Sequence, residues 1–312
     1  MPAIRLVGGQ LFPGRDALKY FIVYAHPEPL SLNGELMRRA VTGLEAAGHQ
    51  VRVSDLYASR WKSTADADDF PRGTASPLIY GKASAEAFNN GAQSPDIAEE
   101  QAKLLWADAV ILQFPIWWYG MPAILKGWVD RVYARGFAYG VGTFGGKKWG
   151  ERFGEGVLMG RRAMVAATLG GRAAQYGPRG VNGSIDDILW PIQHGVLFYP
   201  GMTVVPPTVF YEVSRLDAET VDRLCQSYLD RLLHIATTDP IPFRTQNGGD
   251  YDEQQVLHEH LAKDGAGLKI HQAGTTYSSN TSVGSVGDFN PRHIAPSSRR
   301  DETWLRLSSP DE

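Results

Sequence analysis

The segment Tyr20-Phe21-Ile22-Val23-Tyr24-Ala25 is apolar on both faces, and this restricts the fold more than any other feature of the chain. A strand with one wet face alternates apolar and polar residues, whereas a strand inside a parallel sheet is covered by helices on both sides. Parallel neighbours need long crossovers, usually helices, and the chain supplies them in alternation. The spacing predicts a helix from about Asn33 to Ala47, with Leu36, Ala40 and Leu44 on one face and Gly48 as its stop. Val51-Arg52-Val53 begins a second strand. Val110 to Phe114 is a third, preceded by a helix holding Glu99 to Trp106. Ala163 to Thr168 is a fourth, 203–210 contains a fifth, and a last helix runs from about Ala218 to Ile235. The fold class is α/β: a doubly wound parallel five-stranded sheet with helices on both faces.

Residues 1–17 are expected to form an N-terminal extension, 18–243 the α/β domain, 244–272 a C-terminal segment packed on that domain, and 273–312 a tail. The tail is rich in Ser, Thr, Asn, Pro and Gly with few apolar anchors, so it is expected to be disordered. Between Asp55 and Ser94 the chain turns irregular. A loop this long is usually functional or carries short helices of its own. No continuous apolar stretch marks a signal peptide or a membrane span, so no membrane insertion is expected. A formal net charge of −3 argues against nucleic acid as a main partner, because that surface would have to be basic. The single cysteine, Cys225, excludes an internal disulfide and a cysteine-rich metal site, which fits a cytoplasmic setting. It lies in step with Val221, Tyr228 and Leu232, so a packing role is expected. His194, His234, His258 and His260 likewise read as packing or surface residues, and no metal site is expected.

No G-x-G-x-x-G follows the first strand and no phosphate loop occurs. Instead the strand delivers His26 through Asn33, placing hydroxyl, amide and imidazole groups at a helix N-terminus, where an anion is favoured. The segment alone leaves two readings open: a phosphate site, or capping of the helix by Ser31 or Asn33. The third strand ends in Gln113-Phe114-Pro115-Ile116-Trp117-Trp118-Tyr119-Gly120. Aromatic runs are more often core than ligand wall, but Pro115, Gly120 and Pro122 hold this one in a turn, where it is hard to bury. The fourth strand ends in Thr168-Leu169-Gly170-Gly171, and two glycines there allow a ligand to approach the backbone. Gly-Gly alone reads as an ordinary turn. Three such strand ends together coincide with the ligand crevice of open α/β sheets.

Several stretches resemble the NAD(P)H:quinone oxidoreductase (DT-diaphorase-like) family: Ser94 to Gln101, Gln113-Phe114-Pro115, Pro122 to Trp128, Gly136 to Tyr139, and Ile188 to Gln193 followed by Gly195. The similarity covers roughly Leu18 to Phe243. The resemblance implies a flavodoxin-like fold, bound FAD rather than FMN, and a homodimer with active sites at the subunit interface. It implies ping-pong transfer from NAD(P)H through the flavin to a quinone. It implies that His26, Ser31, Leu32 and Asn33 hold the pyrophosphate and ribityl region. Pro115, Ile116, Trp117, Trp118, Thr168, Leu169, Gly170 and Gly171 would contact the ring and ribityl chain, and Trp118, Tyr119 and Tyr139 would wall the substrate pocket. Gly170, Gly171 and Tyr176 would stabilise charge on the ring. The family's Gly-x-His-Gly turn is Gly180-Val181-Asn182-Gly183 here, so Asn182 stands where a histidine pairs with that tyrosine. Rival readings are an azo, nitro or flavin reductase, a non-catalytic accessory subunit of a transporter, and a pure electron carrier; the last needs no aromatic pocket.

Overall fold

β1 (Lys19–Tyr24) lies inside a parallel sheet, with β2 (Gln50–Asp55) on one side and β3 (Ala109–Pro115) on the other. The computed structural model describes residues 6–7, 10–11, 17–71, 77–145, 148–214, 216–262 and 267–274. Most of the N-terminal extension, and the tail from residue 275, lie outside the described residues. β4 (Arg162–Thr168) pairs with β3 from Ala109↔Arg162 to Pro115↔Thr168. The far edge of β4 carries β5 (Thr203–Val204) and β6 (Thr208–Phe210), both parallel to it. These two share one strand position, interrupted at Pro206-Pro207, because proline has no N–H for a ladder. The path β2-β1-β3-β4-β6 is the flavodoxin-like order, with its switch point between β1 and β3.

The period-2 alternation of side chains divides the core in two. Phe21, Val23, Val110, Leu112, Phe114 and Val165 face one side, with Leu104 of α3 (Pro95–Trp106) and Leu125, Trp128 and Val132 of α4 (Ala123–Val132). Tyr20, Ile22, Ile111, Met164 and Phe210 face the other, against α1 (Leu32–Ala46) and α6 (Ala218–Leu233). Cys225 belongs to this second layer, and burial pushes its thiol up to about 11.

The stretch 55–94 is more regular than its composition suggests. It holds a short 3-10 turn at Ala67–Asp69 and a ten-residue helix, α2 (Tyr80–Asn89). It is fixed to the body by Arg131 of α4, only 2% exposed. The Arg131 guanidinium donates to Asp69 Oδ1 at 2.9 Å and Asp96 Oδ2 at 2.7 Å, and it lies 4.7 Å from the Trp61 ring centroid. Tyr80 and Lys62 donate to the same buried Asp69. A Cβ on Gly127 would stand 2.1 Å from Ser63 O, so only glycine lets α4 approach this segment.

Residues 185–198 form an element that the sequence pattern does not announce. α5 (Ile185–Trp190) runs directly into a π-helical turn, Pro191–Phe198. A proline inside an apolar run reads as a stop; here the wider turn takes over at the residue that lacks an N–H. Beyond Phe243, His271 lies back against this helix, its ring 6.4 Å from Trp190 and 6.5 Å from His194. Arg244 donates to Ile270 O and Asp250 Oδ2, and Tyr251 Oη lies 3.0 Å from His271 Nδ1. His194 is sandwiched between Phe153 and Trp190 with ring centroids 4.8 and 4.7 Å away. Among the described residues no helix is long and apolar enough to cross a membrane.

Candidate functional site

The carboxyl ends of β1, β3 and β4 meet above the start of α1. Ser31 caps that helix: Gly34 N–H donates to Ser31 Oγ at 3.2 Å, and Glu35 N–H to Ser31 O at 2.9 Å. The amides of Leu32 and Asn33 donate to no described residue, so this N-terminus keeps free N–H groups. Asn33 is 3% exposed and is not the cap. Its Nδ2 donates to Thr168 Oγ1 at 2.5 Å, while its carbonyl accepts from Gln113 Nε2 at 2.7 Å. Tyr228 Oη of α6 donates in turn to Gln113 Oε1 at 3.0 Å. One polar chain thus ties α1, β3, β4 and α6 together beneath the site. Two atoms in this floor are buried without a partner among the described residues: Asn33 Oδ1 and the hydroxyl of Tyr24, the last residue of β1. Burial raises the Tyr24 phenol pKa. Orphaned buried polar atoms are uncommon and costly, and they mark places where a ligand or water completes the bonding. On the rim, His26 Nδ1 accepts from Glu28 N–H at 3.0 Å, and its ring is 6.3 Å from Trp117.

At the end of β3, Ile116 N–H donates to Thr168 O at 2.8 Å. Trp117 and Gly120 then exchange backbone hydrogen bonds of 3.0 and 3.1 Å. The two residues between them, Trp118 and Tyr119, have φ of +48° and +62°. A two-residue hairpin with both central φ values positive is normally built from Asn and Gly. Here it is built from two aromatics, and Trp118 is 97% exposed. Left-handed backbone at bulky residues costs energy and concentrates at functional sites.

β4 leaves the sheet through Leu169, Gly170 and Gly171. The amides of both glycines make no hydrogen bond among the described residues, whereas Gly171 O accepts from Glu212 N–H at 3.1 Å. A Cβ on Gly170 would meet only Ser214 Oγ, at 3.4 Å. One on Gly171 would stand 2.8 Å from Tyr176 Cε2 and 3.1 Å from its hydroxyl oxygen. Tyr176 therefore lies directly against Gly171, and burial, with Tyr119 nearby, raises its pKa. Gln175 braces the loop: its Oε1 accepts from Arg172 N–H at 2.9 Å and its carbonyl from Asn182 N–H at 3.1 Å.

Asn182, at the position where the resemblance has a histidine beside Tyr176, is engaged by a different tyrosine. Asn182 Oδ1 accepts from the Tyr119 hydroxyl at 2.9 Å, linking the aromatic hairpin to the loop after β4. The brace by Gln175 and this link were invisible in the sequence, because both depend on contacts that no spacing rule encodes. Tyr139 stands apart. Its hydroxyl lies 3.0 Å from where a Cβ on Gly81 of α2 would be, and it makes no ring contact or hydrogen bond with Trp118 or Tyr119. Among the described residues no group of three or more His, Cys, Asp or Glu side chains could hold a metal ion.

The site thus offers free amides, orphaned polar atoms and exposed aromatic faces at the switch point of a parallel sheet. Comparison with known proteins gives it a family. The model of a family described as having a flavodoxin-like fold matches residues 19–234. A ribosyldihydronicotinamide dehydrogenase-like protein of Penicillium crustosum is 49% identical over 257 residues, covering 81% of this chain and 95% of that one. NAD(P)H dehydrogenase [quinone] 1 of Rattus norvegicus is 32% identical, with coverages of 84% and 96%. A crystal structure assigned as a quinone reductase of Klebsiella pneumoniae shares 53% identity at a TM-score of 0.78, covering 82% of this chain and all of that one. By this fold and these similarities, the chain belongs to the flavodoxin-like NAD(P)H:quinone oxidoreductase family.

Proposed function

We propose that this chain reduces quinones by two electrons at the expense of NAD(P)H, using FAD held at the carboxyl ends of β1, β3 and β4. The observation that carries the reading is the pair of uncommitted amides at Gly170 and Gly171, facing a strained hairpin with an almost fully exposed Trp118. When bound there, a flavin would supply the capacity to take electrons from a nicotinamide and give them to a quinone.

The residues present fit such a group. The α1 N-terminus, with the free amides of Leu32 and Asn33 and with Ser31 and His26 beside it, suits the phosphates. Asn33 Oδ1 and Tyr24 Oη suit polar atoms of a ribityl chain. Pro115, Ile116, Trp117, Trp118, Thr168 and Leu169 would line the crevice for a planar ring. The Gly170 and Gly171 amides would donate to an oxygen that gains negative charge, and Tyr176, against Gly171, would add a hydroxyl donor. Fixed donors are worth most where water is excluded, and the half-buried Tyr176 helps to exclude it.

Trp118 and Tyr119 would form one wall that nicotinamide and quinone occupy in turn, the arrangement ping-pong kinetics requires. A wall at 97% exposure is incomplete in a single chain. A homodimer with the site at the interface would complete it, and Tyr139, which makes no ring contact or hydrogen bond with its own chain's hairpin, would then serve the partner. A cytoplasmic setting suits NAD(P)H and a single buried thiol. The test is direct. Purified protein should release FAD on denaturation and oxidise NAD(P)H only when a quinone is supplied. FMN alone would overturn the FAD assignment, and no flavin after reconstitution would overturn the reading.

A further inference from the structure

We infer that Arg172 and Arg179 form a cationic rim that reads the phosphates of the nicotinamide donor, so that phosphorylated dinucleotides are preferred over dihydronicotinamide riboside. The inference rests on the reading that a nicotinamide occupies the pocket beside Gly170 and Gly171. It goes further in naming what selects the donor.

Both arginines lie on the loop after β4, which Asn182 ties to Tyr119 of the aromatic hairpin. Gly180 N–H donates to Gly177 O at 2.9 Å, which puts Pro178 and Arg179 at the tip of a β-turn between Tyr176 and Asn182. Proline in the first central position fixes that turn. The Arg172 and Asn182 amides are both anchored on Gln175, and the Asn182 side chain is held by Tyr119. The backbone that carries both cations is thus braced by Gln175 and tied through Asn182 to the aromatic hairpin. The Arg172 side chain is 78% exposed, and among the described residues its one ion pair is a long one, 3.5 Å to Glu212. Arg179 is exposed and makes no ion pair or hydrogen bond with a described residue. The other arginines beside the site differ: Arg38 and Arg39 are engaged by Glu35, and Arg39 also by Asp222. Arg179 is thus unengaged and Arg172 only loosely held, so both guanidinium groups stay open to an anion. A guanidinium presents a rigid fork that matches phosphate oxygens two at a time. A nicotinamide ring seated against Trp118 must send its ribose and phosphates outward across this rim. A riboside, which ends at the sugar, would gain nothing from it.

The test compares Arg172→Gln, Arg179→Gln and the double variant with the wild type, using NADPH, NADH and dihydronicotinamide riboside against one fixed quinone. Each single change should raise KM for the phosphorylated donors by about three- to tenfold, the range for partly exposed charge-assisted contacts. KM for the riboside and kcat for all three donors should stay put. A rise for NADPH alone assigns the rim to the 2′-phosphate, and a rise for NADPH and NADH together assigns it to the pyrophosphate. Equal changes for all three donors, or none, would overturn the rim. Calorimetric titration with NADP+ separates this from failure of the underlying reading. If the wild type turns over no donor but binds NADP+ and the double variant does not, the rim stands and the proposed reaction falls. If the wild type binds no NADP+, the rim falls.

Discussion

Replacing Trp118 with glycine should give a more stable apoprotein than replacing it with alanine, the reverse of what these residues do at most positions. Trp118 is 97% exposed, so truncation removes almost no buried apolar surface. What remains is backbone: φ at this position is +48°. A left-handed conformation costs an L-residue about 1–2 kcal/mol, and alanine keeps that cost while glycine escapes it. Glycine loses about 0.5–1 kcal/mol more conformational entropy on folding. The net advantage of glycine is therefore about 0.5–1 kcal/mol, or about 1–4 °C in Tm for a domain of this size. The assay is urea and thermal unfolding of the flavin-free proteins, since bound ligand would shift the curves by mass action. Both variants should also lose affinity for quinone and nicotinamide together, because the strain is kept for the indole. An alanine variant as stable as the glycine variant, or more so, would refute a strained hairpin.

Arg131→Met leaves Asp69, 1% exposed, without its guanidinium partner, and should cost about 3–5 kcal/mol in urea unfolding. A loss below about 1 kcal/mol would show that Lys62 and Tyr80 suffice. His194 has its pKa lowered to about 4, first by burial and then by His271, itself lowered mainly by burial. Below the ordinary value of about 6.5 the unfolded chain binds a proton that the folded chain refuses until about pH 4. Stability should therefore fall as pH drops through that window. The loss is bounded at about 3 kcal/mol and is nearer about 1–2 once the ring's partial exposure is counted. Melts across this range should show His194→Gln with the flatter slope, and parallel slopes would rule the imidazole out. Tyr176→Phe should slow flavin reduction by NAD(P)H in stopped flow with FAD content unchanged, and an unaltered rate would leave the Gly170 and Gly171 amides as the stabilising groups.

The sheet was legible because burial on both faces forces a visible signature: Tyr20 to Ala25, Val110 to Phe114 and Ala163 to Thr168 are nearly continuous apolar runs, and each is a strand. The helix pair at 185–198 was not, since Pro191 masks a π turn that only packing makes worthwhile. α2 was hidden by the Gly, Pro and Asn around it, and its place is set by the ion network on Arg131 rather than by a strong apolar stripe. At the site, the strand ends were legible in the sequence, but the partnerships among their side chains were not. The resemblance placed Asn182 where a histidine pairs with the tyrosine matched by Tyr176; the fold joins Asn182 to Tyr119, which lies in the left-handed hairpin. The left-handed turn itself was unreadable, since nothing local favours it in Trp118 and Tyr119.

The central claim is that one pocket, between the Trp118-Tyr119 hairpin and the Gly170-Gly171 turn, serves both the nicotinamide and the quinone. Initial-rate kinetics with both substrates varied tests this most directly. A shared pocket should give parallel lines in double-reciprocal plots, with each substrate competing against the other's form of the enzyme at high concentration. Lines that intersect would require both substrates to be bound at once and would contradict a single shared pocket.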